Sequence, residues 1–393
     1  MPSLFRLLFV LLFAPPAMAG ELAIGRAFGS SMVLPMNRSV PVHGHAAAGS
    51  EVSLRFAGQA LRTQADARGN WSITLAAMPV SASGREMLIQ AGEERIKLED
   101  ILVGRVFLCS GQSNMDFSLS RAVGGAAAAK EAKNHSTLRL FNLTGAPTDN
   151  RAYDAATLAS LNTRDHFHGQ WQRPTEASAC DFSAIAWWTG LLLQRRDSVP
   201  IGLIENAVGG SPTEAWLPRD LLQSQREYRG LLGKDWLQSE MMSPWARARA
   251  KQNLGSHLDA EHPFRPGFLF ESGVRDFSGF PFDGVLWYQG ETNAELNEPT
   301  WHRRVMTDLV SGWRSRLGDK RLPFYIIQLP RIGGKDPLRR YWPEYRKAQA
   351  DVARSLDRVT LIVTEDLGWD SPDVHPPDKL PVARRLAAAI PPP

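Results

Sequence analysis

Three polar clusters in this 393-residue chain carry the residue types of nucleophilic acyl chemistry. The first is Cys109-Ser110-Gly111-Gln112-Ser113-Asn114-Met115, directly after the apolar run Val103 to Cys109. A serine between a tight glycine turn and a helical segment is exposed at a sheet edge. The N–H groups of that segment can hold the oxyanion of a tetrahedral intermediate. Taken alone, Ser-Asn after a strand is ordinary turn chemistry, and the spacing differs from the G-x-S-x-G elbow. The second cluster, Trp287-Tyr288-Gln289-Gly290-Glu291-Thr292-Asn293, crowds amide and carboxylate groups at the exit of another apolar run. Gln289 could donate to an oxyanion, and Glu291 could bond a histidine or a substrate hydroxyl; helix capping is the bland alternative. The third, Asp373-Val374-His375-Pro376-Pro377-Asp378-Lys379, holds a histidine in a proline-bounded loop two residues from an aspartate. Imidazole takes and returns a proton near neutral pH, so His375 suits general-base work.

These clusters need strand ends to hold them. The runs Val103 to Cys109, Leu138 to Leu143, Ile201 to Glu205, Gly284 to Tyr288, Phe324 to Leu329 and Val359 to Thr364 are short and nearly continuous in apolar content, as buried parallel strands are. Helical spacing over Ser183 to Arg196, Trp301 to Leu317 and Tyr345 to Leu356 alternates with them. This alternation predicts a three-layer α/β/α domain over residues 101–393, with ligands beyond the carboxyl ends of its strands. Residues 20–100 read differently. Val40 to His45, Glu51 to Phe56, Leu61 to Ala65, Trp71 to Leu75 and Met87 to Ala91 are separated by turn signals such as Ala57-Gly58-Gln59 and Arg68-Gly69-Asn70, which predicts a small β-sandwich.

Composition narrows the class. Hydrophobic residues make up 43% and charged residues 22%, and 45 Lys+Arg against 41 Asp+Glu leave a net charge of only +4. That is a globular profile without a basic stripe for nucleic acid. Two cysteines, Cys109 and Cys180, rule out a disulfide scaffold and a cysteine-based zinc site. A bridge between them is permitted but not indicated by spacing. At the amino end Arg6, the apolar run Leu7 to Phe13 and Ala17-Met18-Ala19 read as a signal peptide over residues 1–19. Export is expected, to a periplasm or the exterior in bacteria, or to a lysosomal or extracellular space in a eukaryote. No later run reaches membrane-spanning length.

Taken together, Gly111 to Met115, Trp287 to Asn293 and Asp373 to Lys379 resemble the sialate O-acetylesterase family of the SGNH (GDSL-like) hydrolase superfamily. Pro200 to Ile204 leading to Gly209-Gly210-Ser211-Pro212-Thr213-Glu214-Ala215-Trp216 agrees with that resemblance. So do Trp342 to Gln349, Met32 to Pro35 and Gly69 to Trp71. The resemblance implies a serine esterase releasing acetyl groups from carbohydrates, with no cofactor and no metal. Ser113 would be the nucleophile and His375 the base. The oxyanion would be held by backbone N–H groups of Ser113 and of Gly209 or Gly210, and by the Gln289 side chain. Gln112, Asn114, Trp216 and Asn293 would bind substrate. For the acid orienting His375, Asp373 ranks ahead of Glu291 and Asp366, and a Ser-His dyad oriented by a backbone carbonyl is a further choice. SGNH enzymes commonly place an Asp three residues before the histidine; here that position is Pro372, and Asp373 sits two before it.

An insertion at about 218–267 could wall the site, and Trp216 and Trp236 are candidate sugar platforms, whereas Trp187 and Trp188 read as packing. O-acetylated sialic acid is the first substrate expected, with acetylated xylan, xyloglucan or pectin as alternatives. A noncatalytic carbohydrate-binding protein would be expected to lack Ser113 or His375, and both are present.

Overall fold

The computed structural model describes residues 21–393 apart from Lys234 and Lys335. The signal-peptide expectation therefore falls outside the described residues. Alternating burial builds the first strands: β1 (Ala23–Ile24), β2 (Val33–Pro35), β3 (Val40–His45), β4 (Glu51–Phe56), β5 (Gln59–Gln64), β6 (Asn70–Leu75) and β7 (Ser81–Ala91). In β4 the side chains of Val52, Leu54 and Phe56 are buried, and in β6 those of Trp71, Ile73 and Leu75. β1, β3 and β6 form one antiparallel sheet, and β5, β4 and β7 form an antiparallel run joined to β8 (Glu94–Gly111).

β8 ties the two regions together. Its first half pairs with β7 and its second half is a central strand of the parallel sheet, so residue 100 lies within a strand rather than in a linker. Asp100 takes a left-handed backbone (φ 57°) at the transition, and its carboxylate pairs with Arg139 at 2.9 Å and Arg173 at 2.6 Å.

The remaining strands are β9 (Leu138–Asn142), β10 (Trp171–Gln172), β11 (Ile201–Ala207), β12 (Gly284–Tyr288), β13 (Phe324–Ile327) and β14 (Val359–Ile362). The order is β10-β9-β11-β8-β12-β13-β14, with every neighbour parallel except the edge strand β10. Each of the six apolar runs is thus a parallel strand of one large mixed sheet. Helix Ala184–Asp197 starts where Ser183 Oγ accepts the Ala186 N–H and stops at left-handed Ser198. It packs on the C-terminal helix Leu380–Ala389, as helix Pro299–Arg316 packs on Trp342–Ser355.

The register aligns the chemistry. Ala207 and Tyr288, the last residues of β11 and β12, both stand opposite Gly111, the last residue of β8. Three motif-bearing loops therefore leave the same sheet edge side by side. Gly111 has φ 137°, and a Cβ there would lie 2.0 Å from the Tyr288 carbonyl oxygen, so no other residue fits this close approach.

Candidate active site

Ser113 stands two residues beyond the end of β8, and its Oγ lies 2.7 Å from His375 Nε2. His375 comes from the loop between β14 and the C-terminal helix. Its Nδ1 is 2.6 Å from Asp373 Oδ1, which also accepts the His375 backbone N–H at 3.1 Å. An aspartate whose carboxylate turns back onto the backbone two residues on makes an Asx turn, and that geometry brings the carboxylate to Nδ1 across a two-residue offset. The Trp369 indole N–H holds the Asp373 carbonyl at 2.7 Å, and Phe117 stacks at 6.3 Å from the imidazole. The other two carboxylates lie elsewhere. Glu291 accepts from Asn114 Nδ2 at 2.5 Å, and Asp366 is paired with Arg385, which holds its carboxyl down at about 2.

Gly209 and Gly210 follow β11 beside Ser113. A Cβ on Gly209 would lie 3.7 Å from that of Ser113. Among the described residues, no backbone acceptor takes the N–H of Ser113, Gly209 or Gly210. Thr148 Oγ1 donates to the Gly209 carbonyl at 2.8 Å. Because the peptide is planar and trans, fixing that carbonyl aims the Gly210 N–H the opposite way.

The Gln289 side chain requires a correction. Its Nε2 donates to Ser211 O at 3.2 Å and Asn293 Oδ1 at 2.7 Å, and its Oε1 accepts from Thr213 and Tyr345. Fully buried and satisfied, it braces loops and presents no donor to an oxyanion.

The cavity over Ser113 is about 400 Å³, lined by Gln112, Ser113, Thr148, Gly209, Gly210, Trp245, Glu291, Arg339 and His375 among others. Gln112 faces it with Oε1 held by the N–H groups of Gly290 and Thr292, at 3.2 and 3.4 Å. Four expected substrate contacts are placed elsewhere. Trp216 is 0% exposed, bonded through Nε1 to Ser211 Oγ and set edge-on to Trp287, so it belongs to the core. Asn293 spends its amide on Thr213, Gln289 and Glu214, and Asn114 is equally enclosed. Trp236 is buried against His262.

The aromatic wall is Trp245, from the 218–267 segment. It lies in the first turn of helix Pro244–Leu254, which Ser243 caps, with the Arg249 guanidinium 5.2 Å from its ring. Sequence reasoning missed Trp245, Thr148 and Arg339. The Ser-Pro helix start ahead of Trp245 was a usable signal, as was Asp336-Pro337 ahead of the short helix Pro337–Arg339; Thr148 lies in a loop that carries none.

Burial shapes the charges beneath the cavity. It raises the Glu291 carboxyl, against the opposing pull of Asn114, His375 and Lys379, and pushes the Lys379 ammonium down to about 7. Among the described residues no three His, Cys, Asp or Glu side chains are grouped to hold a metal ion, and no helix is long and apolar enough to cross a membrane. Cys109 and Cys180 are both free thiols, so the permitted bridge is not formed.

Residues 270–389, which include the loop after β12 and His375, match the family described as carbohydrate esterase, sialic acid-specific acetylesterase. The chain resembles these acetylesterases. It is 26% identical to the sialate O-acetylesterase of Mus musculus over an alignment 317 positions long that covers 74% of this chain and 56% of the mouse protein. It is 25% identical to the Homo sapiens sialate O-acetylesterase over an alignment 348 positions long that covers 80% of this chain and 59% of the human one. Among solved structures, a carbohydrate acetylesterase from Xanthomonas citri matches with a TM-score of 0.72 at 26% identity, covering 93% of this chain and 73% of that one. The chain thus spans less than three fifths of the length of these curated acetylesterases.

Proposed function

We propose that this chain is an exported serine esterase that hydrolyses O-acetyl esters on carbohydrates, O-acetylated sialic acid first among them. The observation that carries the reading is the continuous hydrogen-bonded series Asp373–His375–Ser113 at the mouth of a cavity beside two glycine N–H groups. The likeness to acetylesterases supports the choice of ester.

Ser113 Oγ attacks the acetyl carbonyl as His375 Nε2 takes its proton, and Asp373 steadies the imidazolium. The N–H groups of Ser113 and Gly210 receive the developing oxyanion. His375 returns the proton to the sugar alkoxide, leaving an acetyl group on Ser113. Water activated by the same imidazole then releases acetate. Trp245 offers the sugar an aromatic face, and Arg339 a cation at the cavity wall. The reading extends to an SGNH hydrolase architecture of three α/β/α layers behind an N-terminal β-sandwich, and to export after loss of residues 1–19, supported by the apolar run Leu7 to Phe13.

The test is acetate release by wild type and Ser113→Ala from O-acetylated sialic acid, acetylated xylan, acetylated xyloglucan and an aryl acetate. Release from a sugar, lost in the variant, supports the reading and names the substrate. Release from none, the aryl acetate included, overturns it in favour of a binding protein.

A further inference from the structure

The three loops that form the site meet at one buried amide. Asn114, next to the nucleophile, donates through Nδ2 to Glu291 Oε1 at 2.5 Å and to the Val374 carbonyl at 2.8 Å. Its Oδ1 accepts from Lys379 Nζ. The loop after β8, the loop after β12 and the His375 loop are thereby joined through a single side chain. The Val374 carbonyl belongs to the same peptide as the His375 nitrogen, so fixing the one fixes where the imidazole starts.

The polarity of the partners fixes how the amide points. Glu291 Oε1 and the Val374 oxygen present lone pairs to one end, which must be the NH₂. The Lys379 ammonium is donor-only, so the other end must be the oxygen. A flipped amide would face acceptor with acceptor and donor with donor. Lys379 is 1% exposed, with its ammonium 4.6 Å from the Phe117 ring centre and 6.0 Å from that of Tyr288. An apolar residue would fill this place at lower solvation cost, so stability alone does not call for a lysine. Phe117 in turn stacks on His375.

We propose that Lys379, Asn114 and Glu291 form a positioning relay that holds the Val374–His375 peptide, and through it the imidazole, in hydrogen-bond reach of Ser113. This rests on the assignment of Ser113 and His375 as the reacting pair. It gives Asn114 and Glu291 a joint role behind the site, in place of sugar binding for the first and histidine orientation for the second. The three act through His375 and are positioning residues.

The test is steady-state kinetics on an aryl acetate, paired with crystal structures. Lys379→Met and Asn114→Leu should each lower kcat by about tenfold or more and leave KM within about twofold, because only the transition state feels a misplaced base. The double variant should lose no more than Asn114→Leu alone, as expected of residues acting through one contact. Glu291→Gln, which still offers Asn114 an acceptor, should recover most of the kcat that Glu291→Leu loses. In the Lys379→Met crystal structure His375 Nε2 should leave hydrogen-bond distance of Ser113 Oγ. Losses that multiply, or a Lys379→Met structure with the Ser113–His375 contact intact, would overturn the relay. If Lys379→Met does not fold, the Glu291 pair decides by the same kinetic and structural criteria. A wild type inactive on every ester would count against the proposed function, while the His375 position in the variant structures still decides the relay.

Discussion

His375 Nδ1 lies 2.6 Å from Asp373 Oδ1, and the two residues share a single turn of chain. The carboxylate and imidazole of the site are therefore one local unit, joined to Ser113 across the sheet edge by a 2.7 Å contact. The Asp373 side chain is 52% exposed, so water competes for the contact more than it does in an enclosed triad.

Asp373→Asn should lower kcat by between about 10² and 10⁴, the upper figure being the loss for an enclosed triad acid whose replacement imposes the wrong tautomer. Asp366→Asn, which only releases Arg385, should leave kcat within about twofold. Aryl acetate kinetics on the two variants check this; equal effects would remove Asp373 from the mechanism.

Thr148 should matter through the direction of one peptide. Thr148→Val keeps the shape but frees the Gly209 carbonyl, so the Gly210 N–H is no longer aimed. A kcat loss of about 10-fold to 10²-fold is expected, less than deletion of a whole oxyanion donor, which costs about 10²-fold to 10³-fold. Thr148→Ser should restore most of it. A valine variant as fast as wild type would show that Gly210 is held by other contacts.

The tryptophans should separate by readout. Trp245→Ala should raise KM for an acetylated sugar several-fold and leave a small aryl acetate nearly unaffected, since it lines the cavity. Trp216→Ala should instead destabilise the fold by about 3–5 kcal/mol, as removal of a buried aromatic does, with a lower melting temperature as the sign. The reverse pattern would restore Trp216 as a sugar platform.

Acid should weaken the fold through buried imidazoles. Burial pushes His166 and His262 down to about 3 from the ordinary 6.5, and neither ring nitrogen of His166 has a hydrogen-bond partner. Between those values the unfolded chain binds protons that the native state refuses. Their contribution to stability is therefore complete above about pH 6.5 and is lost as pH falls toward 3, at up to about 1.4 kcal/mol per pH unit for each histidine. His166→Phe should flatten the fall in melting temperature between pH 7 and pH 5. A slope unchanged by the substitution would show that His166 is protonated alike in both states.

The sequence by itself determined the parallel sheet, because buried parallel strands are nearly continuous apolar runs and each of the six became one. It also marked which loops come together: Ser113, Gly209-Gly210 and His375 are small or titratable residues at strand exits, and that much is local. It left the acid open among Asp373, Glu291 and Asp366, because which carboxylate reaches an imidazole depends on how a loop turns. The tertiary structure sets Asp373 against the imidazole through an Asx turn and holds the other two on different partners, Asn114 for Glu291 and Arg385 for Asp366. It likewise sent Gln289, Asn293 and Trp216 inward and brought Trp245 and Thr148 to the cavity. A side chain's type states what it can bond; the bonds already taken by its neighbours, in contacts as far apart in sequence as Asn114 and Lys379, decide what it is free to do.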